Sequence, residues 1–204
     1  MKRTIKIWLL VIVSVLILVA CKKQTPSDAA DTFFKGIKNK DTETISSVFA
    51  GDVSDWISQG GNLMNDSDLP DSVTKQLDEK IFGFDYDVIE ETVDGENATV
   101  KVNITAFPIG EAVIEWFREY ISTRLSMAFS GASEEEMNAY LESSFTEKLA
   151  ALEEKSYEST ITLSMYQTNG KWMIDESSLD SKFIDRVSDG LFSSITAMSN
   201  AFSE

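Results

Sequence analysis

Apolar residues along this chain repeat with two periods, and the change from one to the other separates helical stretches from extended ones. From residue 27 the period is helical: Ala30, Phe33, Phe34 and Ile37 share one stripe, and Asp28 and Asp31 occupy the first turn, where the positive end of a helix favours acids. Ser27 is the expected N-cap, because its hydroxyl can accept from an unpaired N–H of that turn. A second short helix is expected over Thr42 to Phe49, through Ile45, Val48 and Phe49, and a third from Asp71 to about Phe82. The stretch between them, with Gly60-Gly61 and Pro70, reads as looser.

Extended periods follow. Ala98, Val100, Val102, Ile104 and Ala106 alternate cleanly, and Phe84 to Thr92 is a less regular partner for them. Pairing Val88 with Ile104 and Tyr86 with Ala106 leaves Gly95-Glu96-Asn97 as a three-residue loop, with Asn97 in the left-handed position such loops need. A second hairpin turns at Asn169-Gly170, the strongest two-residue turn signal, which sets Gln167 opposite Trp172 and Met165 opposite Ile174. Ile161, Leu163 and Met165 then share one face.

A helical insertion over about residues 110–155 separates the hairpins. Val113, Phe117, Tyr120, Ile121, Leu125 and Ala128 repeat at helical spacing until Gly131; Ser133 with Glu136 forms a capping box, and Met137, Leu141, Phe145, Leu149 and Leu152 continue on a second helix. The pattern from Leu179 to Phe202 predicts one long C-terminal helix that buries Phe183, Val187, Leu191, Ile195, Met198 and Phe202. It lacks the flanking charges of a coiled coil, so packing within the chain is expected. Together these elements predict an α+β domain: N-terminal helices on a curved antiparallel sheet of about four strands, two hairpins with a helical insertion between them, and a C-terminal helix.

The opening helix from Asp28 to Asp41 (DAADTFFKGIKNKD), with a short helix after it and the closing hairpin Asn169-Gly170-Lys171-Trp172-Met173-Ile174, resembles the nuclear-transport-factor-2-like, or cystatin-like, cone fold. The resemblance covers about residues 27–108 and 157–178. It implies a sheet curved around a pocket, in a fold shared by many lipoproteins of unknown function from low-GC Gram-positive bacteria. The insertion and the long last helix depart from the minimal cone.

The N-terminus has a different pattern. Lys2, Arg3 and Lys6 precede a mostly branched apolar stretch from Ile7 to Ala20, the layout of an export signal. At about 1.5 Å per residue the stretch reaches roughly 21 Å, against a hydrocarbon core of roughly 30 Å, so it is too short to span a bilayer. It ends in Leu18-Val19-Ala20-Cys21, which resembles the lipobox of bacterial lipoproteins, and Cys21 is the only cysteine in the chain. The alternative is an ordinary secretory signal with a cysteine nearby by chance. The resemblance implies that Cys21 receives a diacylglycerol and becomes the first residue of the mature protein, two acyl chains being what stable anchoring requires. The expected organisation is a signal peptide over 1–20, a lipidated cysteine and tether over 21–26, and one α+β domain over 27–204, on the outer face of the cell membrane.

Charge and composition narrow the partners. Loss of the three positive residues of the signal takes the formal net charge from −16 to −19. Such a surface repels nucleic acid and bulk anionic lipid, so neither is expected as a general partner. Lys22, Lys23, Lys35, Lys38 and Lys40 form a basic root that could hold the first helix against anionic headgroups, although a solvated helix face explains them as well. A single cysteine excludes an intramolecular disulfide.

Histidine is absent, so Ser-His-Asp and Cys-His nucleophilic systems and histidine-ligated zinc cannot exist here. No cofactor or metal is expected. Asp66, Asp68 and Asp71 cluster around Pro70, but they lack the glycine and terminal glutamate of a calcium loop and read as a solvated acidic loop. Glu90 is in phase with Phe84, Tyr86 and Val88, so on a curved sheet it would enter a pocket beside Tyr86, with a raised pKa suited to a general base or a cationic ligand. The alternative is that Glu90 sits at the strand end in solvent. Trp116 and Trp172 fit periodic apolar faces and are expected in the core. The function expected is that of a non-enzymatic binding module for a small ligand or an envelope protein. The alternatives are a cone-fold enzyme using carboxylate and tyrosine groups, and a structural accessory subunit whose insertion makes the contact.

Overall fold

The computed structural model describes residues 23–51, 70–179 and 183–201. Helix α1 (Pro26–Asn39) starts two residues earlier than the acidic first turn suggests. Proline at the first helical position brings a preset φ and lacks an N–H that would be unpaired there anyway, which moves the cap to Thr25. Thr25 and Asp28 form a capping box, so Ser27 is not the N-cap; its backbone N–H and its hydroxyl both donate to the Glu91 carboxylate. Just before this cap, the Gln24 side chain accepts from the backbone N–H of Trp172 at 3.0 Å.

Helix α2 (Thr42–Ser46), capped by Asp41, stops before Val48 and Phe49. Phe49 leaves the helix to make a parallel bridge with Ile174, and the Ile174 N–H donates to the carbonyl of Val48 at 2.7 Å. Helix α3 (Asp71–Ile81) matches its expected span. Strands β1 (Asp85–Asp94) and β2 (Asn97–Ala106) follow, then helices α4 (Ile109–Ser130) and α5 (Glu134–Ala150), then β3 (Tyr157–Thr168) and β4 (Lys171–Ile174). A 3-10 turn over Glu176–Ser178 leads to α6 (Phe183–Val187) and α7 (Leu191–Ala201).

The four strands form one antiparallel sheet in the order β1-β2-β3-β4, so the two hairpins join through β2 and β3 across the whole insertion. Ala98, Val100, Val102, Ile104 and Ala106 share their buried face with Ile161, Leu163 and Met165, under α1 and α6. The other face carries Thr99 opposite Ser164, Lys101 opposite Thr162 and Asn103 opposite Thr160. This is the apolar-in, polar-out alternation of a sheet covered on one side only.

The second hairpin has the expected register, with Asn169 at φ 50° and Gly170 at φ 77° forming its two-residue turn. The first does not. Tyr86 lies opposite Ile104 and Val88 opposite Val102; the register then shifts between Val88 and Glu90, and Asp94 lies opposite Asn97. The loop is the pair Gly95-Glu96, and Gly95 takes the left-handed conformation at φ 63° instead of Asn97.

The predicted C-terminal helix is also broken. Asp189 at φ 54° and Gly190 at φ 72° turn the chain between α6 and α7. Phe183 and Val187 therefore join the sheet core, while Leu191 joins a second core with Val73, Leu77, Ile81, Ile109, Val113, Phe145 and Leu149. The insertion is thus one half of a helical layer completed by α3 and α7. As predicted, Gly131 ends α4 in the left-handed conformation and Ser133 with Glu136 caps α5.

Candidate functional site

In a cone-like fold a pocket would lie between the first helix and the sheet, and aromatic side chains occupy that space. Phe33 and Phe34 of α1 are fully buried; Phe34 stacks on Tyr86 with ring centroids 5.0 Å apart and meets Phe84 and Phe183 at 6.2 Å. Phe49 approaches Phe33 at 5.7 Å. Offset and edge-on contacts of this kind add to the burial of each ring.

Tyr86 faces this cluster, as its phase predicts. Its hydroxyl donates to Asp31 Oδ1 at 2.9 Å, and burial, reinforced by that hydrogen bond, pushes the phenol well above the usual tyrosine range. It is therefore a protonated donor tying β1 to α1. Glu90 does not join it: the bulge at Ile89 reverses the phase of β1, so Glu90 stands opposite Lys101 on the polar face. Lys101 Nζ lies 2.7 Å from Glu90 Oε2, and about half of the glutamate side chain is exposed. Tyr86 and Glu90 thus point to opposite faces of the sheet and cannot act on one reacting atom. The residue brought to the helix-covered face is Glu91, which holds the start of α1 through Ser27. A bulge has no signature in this sequence, so Glu91 could not be singled out from it.

Open depressions lie on the surface among the described residues, two of which matter here. One, of about 300 Å³, is on the polar side of the sheet near the hairpin turns, lined by Thr92, Asp94, Thr99, Ser164, Tyr166 and Asp175. The other, of about 420 Å³, runs along the first turns of α4 beside Glu111, Ile114, Arg118 and Asp189. Asp189 arises from the turn that breaks the C-terminal helix. No side chain of α4's own entry caps that helix, and Asp189 Oδ2 accepts from the N–H of Glu111 at 3.0 Å. The Asp189-Gly190 dipeptide was the available signal for this turn.

Burial raises the Asp189 carboxyl above its ordinary value, and the Glu111 N–H offsets only part of the shift. An acid with a raised folded pKa binds its proton more tightly when folded. Its contribution to stability is therefore full below the ordinary value of 3.8 and lost as pH rises through the folded value. Asp189→Asn keeps an acceptor for Glu111 and tolerates the left-handed φ. Its denaturation midpoint should equal or exceed the wild type at pH 7, with the difference vanishing below pH 3.8, and a lower midpoint at pH 7 would contradict this reading.

The lysines of α1 and of its C-cap are engaged within the chain. Lys35 pairs with Asp31 at 2.6 Å, Lys38 reaches the Phe84 carbonyl and Asp85, and Lys40 pairs with Asp78. Trp172 is buried in the sheet core, and Trp116 is half-buried, donating to Ser144 Oγ at 3.0 Å and packing on Phe145 at 4.4 Å. Asp71 sits in the first turn of α3, whereas Asp66 and Asp68 lie outside the described residues. Leu18, Val19, Ala20 and Cys21 also lie outside them. Among the described residues no helix is long and apolar enough to cross a membrane, and no group of three acids, histidines or cysteines is placed to hold a metal.

No family model matches the chain, and no curated protein matches it. Among solved structures it is similar to a candidate lipoprotein (ycdA) from Bacillus subtilis, at 14% identity and a TM-score of 0.46. The similarity covers 74% of this chain and 51% of that one, so the chain spans about half the length of that protein.

Proposed function

We propose that this protein is an extracytoplasmic binding module, anchored to the cell membrane by lipid on Cys21, that engages a protein partner of the envelope. The observation that carries the anchor is Leu18-Val19-Ala20-Cys21 placed directly after the Ile7–Ala20 stretch, with no other cysteine in the chain. The contact of Gln24 with Trp172 supports a short leash: three residues from Cys21 reach about 10 Å. The hairpin-turn end of the sheet is then the end nearest the anchor, and the helical layer begins roughly 30 Å from it along β2, beyond Ala106. The aromatic filling under α1 favours a protein partner over a small enclosed ligand. Cys21→Ser should move the protein from the membrane fraction to the soluble one or leave the signal uncleaved. Normal cleavage with unchanged membrane retention would sink the anchor.

A second reading, that of an accessory subunit contacting its complex through the insertion, is favoured by α4. Leu125 is 57% exposed and Phe129 91% exposed on its outer half. Changing both to serine should leave the melting temperature within about 2–4 °C, since exposed sites contribute little to folding, while a co-purified partner is lost. Retention of the partner by the double variant would remove this surface from the reading.

A further inference from the structure

The two edges of the sheet are unlike. The outer side of β4 is covered by the Val48–Ala50 segment, whereas among the described residues no backbone group outside β2 pairs with β1. β1 is a ten-residue edge strand with Ile89 57% exposed and Val93 50% exposed. An open edge of this length presents unpaired N–H and C=O groups, a template for another strand. Antiparallel pairs alternate between hydrogen-bonded and non-hydrogen-bonded. With Asp94 opposite Asn97 as the closing pair of a two-residue turn, Thr92 and Asp94 direct their backbone groups at β2, and Glu91 and Val93 direct theirs outward.

Side-chain chemistry says what kind of strand fits. After the bulge, Glu91 and Val93 project to the helix-covered face, and Glu90, Thr92 and Asp94 to the polar face; before it, Val88 projects to the first and Asp87 to the second. The polar face of this edge is therefore acidic and the other largely apolar. Lys101 answers Glu90, but among the described residues Asp87 and Asp94 have no ion pair. A second copy of β1 would bring its own Asp85, Asp87, Glu90, Glu91 and Asp94 against these acids, and like charges across a strand pair are destabilising.

We propose that the free edge of β1, over Glu90–Asp94, is a docking site for an extended partner segment in which basic and apolar residues alternate. The segment adds as a fifth strand, its basic side chains over Asp94 and Glu90 and its apolar ones beside Val93. This names the partner chemistry for the binding reading above but does not depend on the anchor: soluble Cys21→Ser protein would leave it standing, and a partner docked elsewhere would leave the binding reading standing.

The test is a titration of the full chain in detergent with a labelled nine-residue peptide of alternating valine and lysine. The control is the same peptide N-methylated at its valines, which keeps the charge and removes the main-chain donors of the edge that faces β1 when valine lies opposite Val93. The expected result is saturable binding, at least tenfold weaker for the methylated peptide and for Val93→Lys, with slowed amide exchange at Glu91 and Val93. Equal binding of the methylated peptide would show attraction by bulk charge and overturn the proposal. Absence of binding, protection confined to α4, or dimerisation of the chain through β1 would overturn it too. If Val93→Lys disturbs folding, the two peptides decide the matter on the unaltered chain.

Discussion

Phe34→Ala should lower folding stability by about 3–5 kcal/mol, the range for removing a large ring from a core that cannot close over the gap. Phe34 is fully buried and joins three elements: it meets Phe33 of α1 edge-on at 5.4 Å, stacks on Tyr86 of β1 at 5.0 Å, and lies 6.2 Å from Phe183 of α6. None of these neighbours is free to fill the space, because Tyr86 is fixed to Asp31 and Phe33 is packed against Phe49 and Phe183. With total stabilities of about 5–15 kcal/mol, the loss is a large share of the whole. Urea denaturation of the two proteins measures it, and a loss under about 1 kcal/mol would mean that the aromatic cluster is not the packed core described.

Gly110→Ala should also destabilise, by about 2 kcal/mol or more, against the normal sign for a helix. Replacing glycine by alanine inside a helix ordinarily gains up to about 1 kcal/mol. Here a Cβ at residue 110 would lie 1.8 Å from the carbonyl oxygen of Asp189 and 2.8 Å from its carbonyl carbon, so backbone and not a flexible side chain must give way. Displacing the 188–190 turn pulls Asp189 from the Glu111 N–H and Leu191 from the helical core. Overpacking of this kind costs about 1–3 kcal/mol, and the lost cap adds to it. A variant as stable as the wild type would show that α4 and the 188–190 turn do not approach so closely.

Elements governed by local chemistry were legible in the sequence. Asn169-Gly170 sets both φ angles of its turn, and Ser133 with Glu136 makes its own cap, so neither depends on distant residues. The errors arose where tertiary pairing decides. An alternating pattern is the same for registers two residues apart, so it does not separate Val88 opposite Ile104 from the observed Val88 opposite Val102. The bulge at Ile89 then exchanged the faces of Glu90 and Glu91. Along the C-terminal stripe, a break between Val187 and Leu191 preserves the apolar spacing while sending its halves into different cores, so periodicity alone could not reveal it. Asp189-Gly190 is the local turn signal at that break. Of the candidate site, Tyr86 was placed on the correct face, and the ring that stacks on it, Phe34, belongs to the stripe that the pattern identified.

The proposed anchor is a lipid on Cys21, and the contact of Gln24 with Trp172 would keep the body close to it. Intact-mass spectrometry of the protein purified from membranes tests this most directly. The predicted spectrum is that of a chain beginning at Cys21 and heavier than its sequence by a diacylglycerol, with no free thiol. A chain that still begins at Met1, or one cleaved near residue 20 with an unmodified Cys21, would contradict it.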